Sequence, residues 1–442
     1  MLKHHLKELV PWLLEHRPIG TVPCPTNVAY FPFLPKPISL SPGTSKLDHL
    51  KLHYGSTTPK RFVLIQTLDG VGETNYRRFL ATHEPQHPND SRHFVALTVF
   101  VKSDGPVRLD APTPRSILRR ELRVHKRLAE VERKDREFVL ATAGVMENER
   151  AHYLILPFTR CDLLDVLLKK VDIDKTRFAR AWIAQLGDGL DCLHRNGIIH
   201  REVKPRNILI DWNGSVKISN FENAYIDHEG KPLLSGVSYA YSTRGTRPYV
   251  APEVQKMIHK VNSAKGYMND PDEQCTALKG YGKEVDVWSL GCVAAELLTA
   301  KERYEPIFRF HGCYEWLTAI NDEYRLDQLE FYGIRRSDQA NAADLVLNLL
   351  RIDHRRRLQL SEMKDHPYFT DCAEVAAYGR LLDTFIPRNE RPRINYHLNL
   401  RARPKYPECV LELTATAPQK KIPPLDELSD YTWINPDNFQ ED

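Results

Sequence analysis

The sequence predicts an α+β fold in two lobes, a small β-sheet lobe carrying one helix followed by a larger, mainly helical lobe. Three observations carry that expectation. Between Arg61 and Phe158 the apolar residues come in short β-rich runs, interrupted once by a helical period. Beyond Phe158 the period turns helical and stays so as far as Phe369. A chain of 442 residues is also long enough to bury two or more separate cores.

Composition limits the setting. With 42% hydrophobic and 27% charged residues the chain reads as an ordinary globular protein. A net charge of +4, from 62 basic and 58 acidic residues, gives no global field for nucleic acid or an anionic membrane, although Arg355 to Arg357 form a local basic cluster. Eight cysteines without a C-x-x-C pair suit free thiols in a reducing compartment, cytoplasmic or nuclear. The stretch MLKHHLKELVPWLLEH is broken by charge and by Pro11, so it lacks the apolar run of a signal peptide or a membrane span. No nucleic-acid partner is expected.

Residues 2–16 place Leu2, Leu6, Leu9, Val10, Leu13 and Leu14 at helical spacing, which predicts a short amphipathic helix. From Pro18 to Pro42 seven prolines are interleaved with Tyr30, Phe31 and Phe33, predicting an extended segment, either draped on a surface, which the aromatics favour, or offered to a partner. These make a 1–58 extension. In the sheet lobe, 59–158, RFVLIQTL is a strand ending in the turn Asp69-Gly70-Val71-Gly72. A polar insertion from His83 to Arg92 follows, then the strand HFVALTVFV. Pro112 and Pro114 lead into the amphipathic helix SILRRELRVHKRLAEV, and FVLAT and HYLILPF close the lobe as strands. In the helical lobe, 159–369, CDLLDVLLKK and FARAWIAQLGDGLDCLHRNG read as helices, the second ending at Gly197. Asp286 to Leu298 is apolar on nearly every face, so it is a central buried helix. Residues 370–442, rich in proline and charge and poor in periodicity, read as a tail. No internal repeat is visible.

The two lobes are organised around Ile198 to Ile210, IIHREVKPRNILI, in which two apolar runs hold a charged loop tightened by Pro205. The loop offers a carboxylate (Glu202), an ammonium (Lys204) and a carboxamide (Asn207). Phosphoryl transfer needs such a set, to orient a hydroxyl, neutralise phosphate and hold magnesium. Taken alone, the same cluster also fits a solvated loop.

Ordered motifs across Arg61 to Phe369 resemble the eukaryotic protein kinases. Ala251-Pro252-Glu253, preceded by GTRPYV, resembles the family's A-P-E. Asp286-Val287-Trp288-Ser289-Leu290-Gly291 resembles its central helix, which implies that Asp286 holds the backbone of the His200-Arg201 turn. Arg357 stands where the family places the arginine that pairs with the A-P-E glutamate, here Glu253. GTRPYVAPEV, IDWNGSVKISNF, Phe385-Ile386-Pro387 and LSDYTWINPDNF look most like the AGC group of serine/threonine kinases. That makes Thr432 a candidate phosphoacceptor, although Leu428 and Tyr431 stand where phenylalanines are usual. Ser242 or Thr243, in a long activation segment, are candidates for phosphorylation and capture by Arg201.

The resemblance implies ATP and Mg2+ as cofactors and a nucleotide site of Gly70, Gly72, Ala96, Thr98, Glu121, Leu156 and Asn220. It assigns the metal to Asn207 and Asn220, and the chemistry to Glu202, Lys204 and Asn207. Several positions depart from the pattern. Val95-Ala96-Leu97 matches the V-A-I-K strand, but the lysine position is Thr98, whose hydroxyl cannot neutralise phosphates. Glu121 therefore loses its lysine, and a nearby arginine is the expected replacement. Lys102 lies about 13 Å along the strand, too far to substitute. The loop Gly70-Val71-Gly72-Glu73-Thr74-Asn75 keeps two of three glycines and adds a negative charge; Arg77 or Arg78 is a candidate displaced cation. H-R-D becomes His200-Arg201-Glu202, one methylene longer, and a misplacement on the order of 1 Å can cost about a hundredfold in rate. D-F-G becomes Asn220-Phe221-Glu222, and a neutral amide is a weaker magnesium ligand than a carboxylate. Phosphoryl transfer is mostly positioning and electrostatics, so the combined changes predict a pseudokinase. It would act as scaffold or allosteric partner, with ATP binding weak or absent and a poor magnesium site. The alternative is a divergent, slow serine/threonine kinase acting on a protein substrate.

Overall fold

The computed structural model of the chain describes residues 60–68, 77–83, 94–101, 114–142, 144–147, 151–171, 173–211, 214–264, 280–299, 304–308, 333–334, 340–370, 410–413 and 433–434. The segments expected as an N-terminal helix and a proline-rich extension, the glycine-bearing turn with Gly70 and Gly72, and Thr432 lie outside them. The described residues fall into two compact units, one drawn from 1–130, 140–158 and 388–442, the other from 131–139 and 159–387.

The first unit is an antiparallel sheet with one helix. Its strands β1 (Lys60–Thr67), β2 (Arg77–His83), β3 (Phe94–Val101), β4 (Gly144–Glu147) and β5 (Ala151–Pro157) carry helix α1 (Pro114–Ala129) between β3 and β4. In β3 the period of two puts Val95, Leu97 and Val99 on one face and Ala96, Thr98 and Phe100 on the other. Proline at the first helical position suits the start of α1, where its missing N–H costs nothing. Ile117, Leu118 and Leu122 of α1 pack on Phe100, Val145 and Leu154. The strand β2 was not anticipated: Arg77 and Arg78 open it and disguise its apolar core, Phe79 to Ala81. FVLAT, expected as a strand, is not one. Val139 makes a single parallel bridge to Ile218, and the strand beside β5 is formed by Gly144–Glu147 instead. Phe138 and Val139 belong to the second unit, where the Phe138 carbonyl accepts from Ile218 N, so the start of the run is not part of this sheet.

The second unit contains β6 (Cys161–Asp162), α2 (Leu163–Leu167), α3 (Lys175–Arg195), β7 (Ile198–Ile199), β8 (Ile208–Ile210), β9 (Val216–Ile218), β10 (Tyr225–Ile226), α4 (Pro252–Ala264), α5 (Glu284–Leu298), α6 (Ala340–Leu349) and α7 (Pro367–Thr370). CDLLDVLLKK thus gives only a short helix, capped by the Asp162 carboxylate on Asp165 N and followed by Lys169 at φ 54°. Helix α3 runs from an Asp174 cap to Gly197, whose φ of 74° only glycine adopts without strain. Every residue of α5 from Glu284 to Leu297 is buried, as its all-round apolar character requires.

That burial includes Glu296. Burial pushes its carboxyl up to about 8, and donors on Tyr249, the Ile307 backbone and Tyr304 only partly offset it. Beside it Lys175, brought down to about 8 by burial, donates to the Glu296, Leu297 and Thr299 carbonyls that end α5. Between the ordinary carboxylate range and pH 8 the folded state keeps a proton on Glu296 that the unfolded chain releases. Stability therefore falls as pH rises through that window. Glu296→Gln is expected to flatten this slope in urea unfolding at a series of pH values; an unchanged slope would contradict the assignment.

Two strands from the stretch expected as a tail return to the first sheet. β11 (Val410–Leu413) pairs with β1, and β12 (Trp433–Ile434) pairs with β4, giving the order β11-β1-β2-β3-β5-β4-β12. The outer sides of β1 and β4 are thus paired, and an unpaired strand edge is a template for association. Removing residues 405–442 is expected to lower Tm by ~4–8 °C, equivalent to about 2 kcal/mol, and to raise light scattering. Unchanged melting in a monodisperse sample would contradict this.

Candidate active site

The loop 200–207 lies between β7 and β8, each backed by pairing with β10 or with β6 and β9. Ile198 and Ile199 are fully buried, so the loop leaves a fixed floor. Asp286 of α5 anchors it: Oδ2 accepts from His200 N (2.8 Å) and His194 Nε2 (2.9 Å), and Oδ1 from Arg201 N (2.8 Å). Burial opposes ionisation of Asp286, but the His194 hydrogen bond, the two histidines and the Arg201 amide hold its carboxyl below the ordinary value. Arg201 and Asn220 sit at φ 64° and 66°, the left-handed region where a non-glycine residue needs its surroundings to hold it. The His200 ring donates from Nε2 to Ser219 O (3.0 Å) and meets the Phe221 ring edge-on at 5.4 Å, fixing the loop to the Asn220 turn.

Glu202 is 8% exposed and its carboxylate is nearly saturated. Oε1 accepts from Lys204 Nζ (2.7 Å) and Thr246 Oγ1 (2.9 Å), and Oε2 from Asn223 Nδ2 (2.9 Å). Burial would raise its pKa, yet the Lys204 ammonium and the donors on Lys204, Asn223 and Thr246 hold it below the ordinary value. A carboxylate has about four lone-pair sites, so one remains for an incoming hydroxyl. Lys204 also donates to Thr246 (2.8 Å), so its charge is committed to Glu202 and this hydroxyl.

Asn207 and Asn220 satisfy each other. Asn207 Nδ2 donates to the Glu202 carbonyl (2.9 Å), which fixes its orientation and turns Oδ1 towards Asn220 Nδ2 (3.1 Å). Amide hydrogens therefore fill the space between the two side chains where a cation would bridge their oxygens. Turning Asn220 over would cost about 1 kcal/mol for the lost hydrogen bond, a small barrier. The larger deficit is the missing carboxylate charge, about 4 kcal/mol per unit of cation charge at 4 Å and an effective dielectric of ~20. This pair does not fit magnesium. Glu222 lies close enough to Arg244 to act on it electrostatically. Among the described residues no group of three or more His, Cys, Asp or Glu is placed to hold a metal ion.

Arg201 spreads its guanidinium over the segment that follows. It donates to Asn223 O, to Ala224 O (3.1 Å), to Ser242 Oγ (2.6 Å) and to Tyr281 Oη (3.3 Å), while Tyr281 Oη donates to Ser242 O (2.6 Å). Arg357 binds Glu253 through two bonds of 2.7 and 2.8 Å and lies 5.2 Å over the Trp288 ring. In the first unit Thr98 is buried on β3, and Glu121 lies 3.5 Å from His125 one turn along α1, a histidine rather than the expected arginine. Ala96 and Leu156 are partly exposed and face each other across β3 and β5. The structure thus joins Glu202, Lys204, Asn207 and Asn220 in one network, with Thr98, Ala96 and Leu156 on a separate sheet.

A helical unit carrying a loop of this chemistry and an antiparallel sheet with a single helix are consistent with the bilobal α+β fold of a protein kinase domain. Residues 89–369, well over half of the chain, match the family model described as "Protein kinase domain", and the chain belongs to that family. It is 31% identical over 339 residues to Ribosomal protein S6 kinase 2 alpha of Gallus gallus, covering 75% of this chain and 38% of that protein. It is 29% identical over 241 residues to Serine/threonine-protein kinase PKH2 of Saccharomyces cerevisiae, covering 53% of this chain and 19% of that protein. With Serine/threonine-protein kinase chk1 of Schizosaccharomyces pombe the identity is 26% over 261 residues, covering 56% of this chain and 46% of that protein. The chain thus spans less than half the length of these relatives. The family generally uses ATP and Mg2+. Among the described residues no helix is long and apolar enough to cross a membrane.

Thr246, Asn223 and His194 were missed in the sequence. Thr246 lies in GTRPYV, and its place ahead of A-P-E was the available signal. Nothing in the sequence marked Asn223 or His194.

Proposed function

We propose that the protein is a catalytically impaired protein kinase, a pseudokinase that serves as scaffold or allosteric binding partner for other proteins and binds ATP weakly without a metal. The observation that carries this reading is the Asn220 to Asn207 hydrogen bond, which stands where two oxygens would share a cation. Thr98, a buried hydroxyl, supports it from the sheet side. The wider assignment goes with it: a sheet lobe 59–158, a helical lobe 159–369, an extension 1–58 and an AGC-like C-terminal segment 370–442, in a cytoplasmic or nuclear protein. A slow serine/threonine kinase is the second reading. It is favoured by one feature, the ordered Glu202, Lys204 and Thr246 triangle with one acceptor site open on Glu202 Oε2. Thermal shift with ATP, in EDTA and in Mg2+, separates them. A small rise indifferent to Mg2+ is expected; a rise that requires Mg2+ would overturn the metal-free reading.

A further inference from the structure

We infer that Arg78 supplies the phosphate-binding cation on the sheet, in the place that Thr98 leaves without one. This rests on the nucleotide-binding part of the reading above. Arg78 of β2 and Thr98 of β3 are direct partners in the antiparallel register, and Thr98 is in turn partnered by Leu154 of β5. Directly opposed residues project from the same face with Cβ atoms about 5 Å apart. The arginine stem therefore starts beside the hydroxyl, on the same face of the sheet. Thr98 itself is 4% exposed and ends at Oγ1, too short and neutral to meet an anion. Arg78 is half-buried, whereas Phe79 and Leu80 beside it are closed off.

The same face supplies the other end of a ligand site. Leu80, Ala96 and Leu156 form the next row across β2, β3 and β5, two residues and thus about 7 Å along the strands from Arg78 and Thr98. Helix α1 covers the far end of this face through Phe100 and Leu154, with Leu156 at the margin of that cluster. Ala96 and Leu156 stay partly exposed. The partly exposed apolar pair Ala96 and Leu156, one row along the strands from an arginine, suits a nucleoside phosphate, the ring on that pair and the phosphate on Arg78. Guanidinium, always charged and forked, pairs with phosphate without a metal ion.

The test measures fluorescent ATP-analogue and adenosine binding to the full chain in EDTA, for the native protein, Arg78→Ala, Arg78→Lys and the Arg78→Ala/Thr98→Lys double variant. Arg78→Ala is expected to weaken ATP at least tenfold and leave adenosine unchanged. Arg78→Lys should lie between, and Thr98→Lys in the Arg78→Ala background should restore ATP to within about threefold. Unchanged ATP affinity in Arg78→Ala, or an equal loss for adenosine, overturns the inference and leaves the metal-free reading standing. A tenfold gain from Mg2+ in the native protein overturns the metal-free reading while an Arg78-dependent affinity in EDTA upholds the inference. No ATP binding under either condition overturns both.

Discussion

Asp286→Ala is expected to cost ~3–6 kcal/mol, a large share of the 5–15 kcal/mol that holds a typical domain together. Two backbone N–H groups, on His200 and Arg201, would be left buried without acceptors at ~1–3 kcal/mol each, and His194 would lose its partner. Arg201 would also be released from its left-handed conformation, so the loop would relax away from its present shape. Because this variant can fail to fold, Asp286→Asn gives the finer reading. Its amide keeps one acceptor and turns a donor towards an N–H. Hydrogen exchange at the amides of residues 200 and 201 should then rise by at least tenfold, and unchanged protection would contradict the anchor. The pH dependence has a fixed sign. The Asp286 carboxyl is held below its ordinary value, so its stabilisation is present above the ordinary aspartate range and is lost as pH falls through the depressed folded value. Asp286→Asn should therefore blunt acid unfolding.

Asn220→Asp is expected to give a larger magnesium response than the native protein. The new carboxylate would face Asn207 Oδ1 across the present 3.1 Å contact, two oxygens with no hydrogen between them. Without a cation that arrangement is repulsive; with one it is a ligand pair of the hard-oxygen type magnesium prefers. At ten times Kd the ion would add about 1.4 kcal/mol, a rise in Tm of ~3–5 °C. The native protein should move by less than 1 °C, to be checked by thermal shift at about 10 mM Mg2+. A native response as large as that of Asn220→Asp would show that the amide pair opens readily for the metal.

The parts legible in the sequence were those whose signal is local or repeated along the chain. IIHREVKPRNILI declared its own loop because apolar runs bracket a polar one, and Asp286 declared itself through the helix that carries it. Thr98 and Asn220 could be read because a strand and a turn place them without reference to anything distant. The hydrogen bonding between Asn207 and Asn220 could not be read: which atom faces which is decided by the Glu202 carbonyl, a backbone acceptor without a side-chain signature. Thr246 and Asn223 reach Glu202 from 44 and 21 residues away, and such contacts leave no period. β2 was hidden because its opening arginines interrupt the alternation, and one of them is the residue now assigned to phosphate. FVLAT was misread because a short apolar run does not say which unit will bury it. β11 and β12 were misread because strands of four and two residues are too short to show alternation above a proline-rich background.

The most direct test of the account is transfer of labelled phosphate from γ-labelled ATP, by the native chain in 10 mM Mg2+, to itself and to a generic basic protein substrate, with Glu202→Ala alongside. The account predicts no incorporation above the Glu202→Ala background. Magnesium-dependent incorporation that Glu202→Ala abolishes would contradict it and establish the chain as a slow kinase.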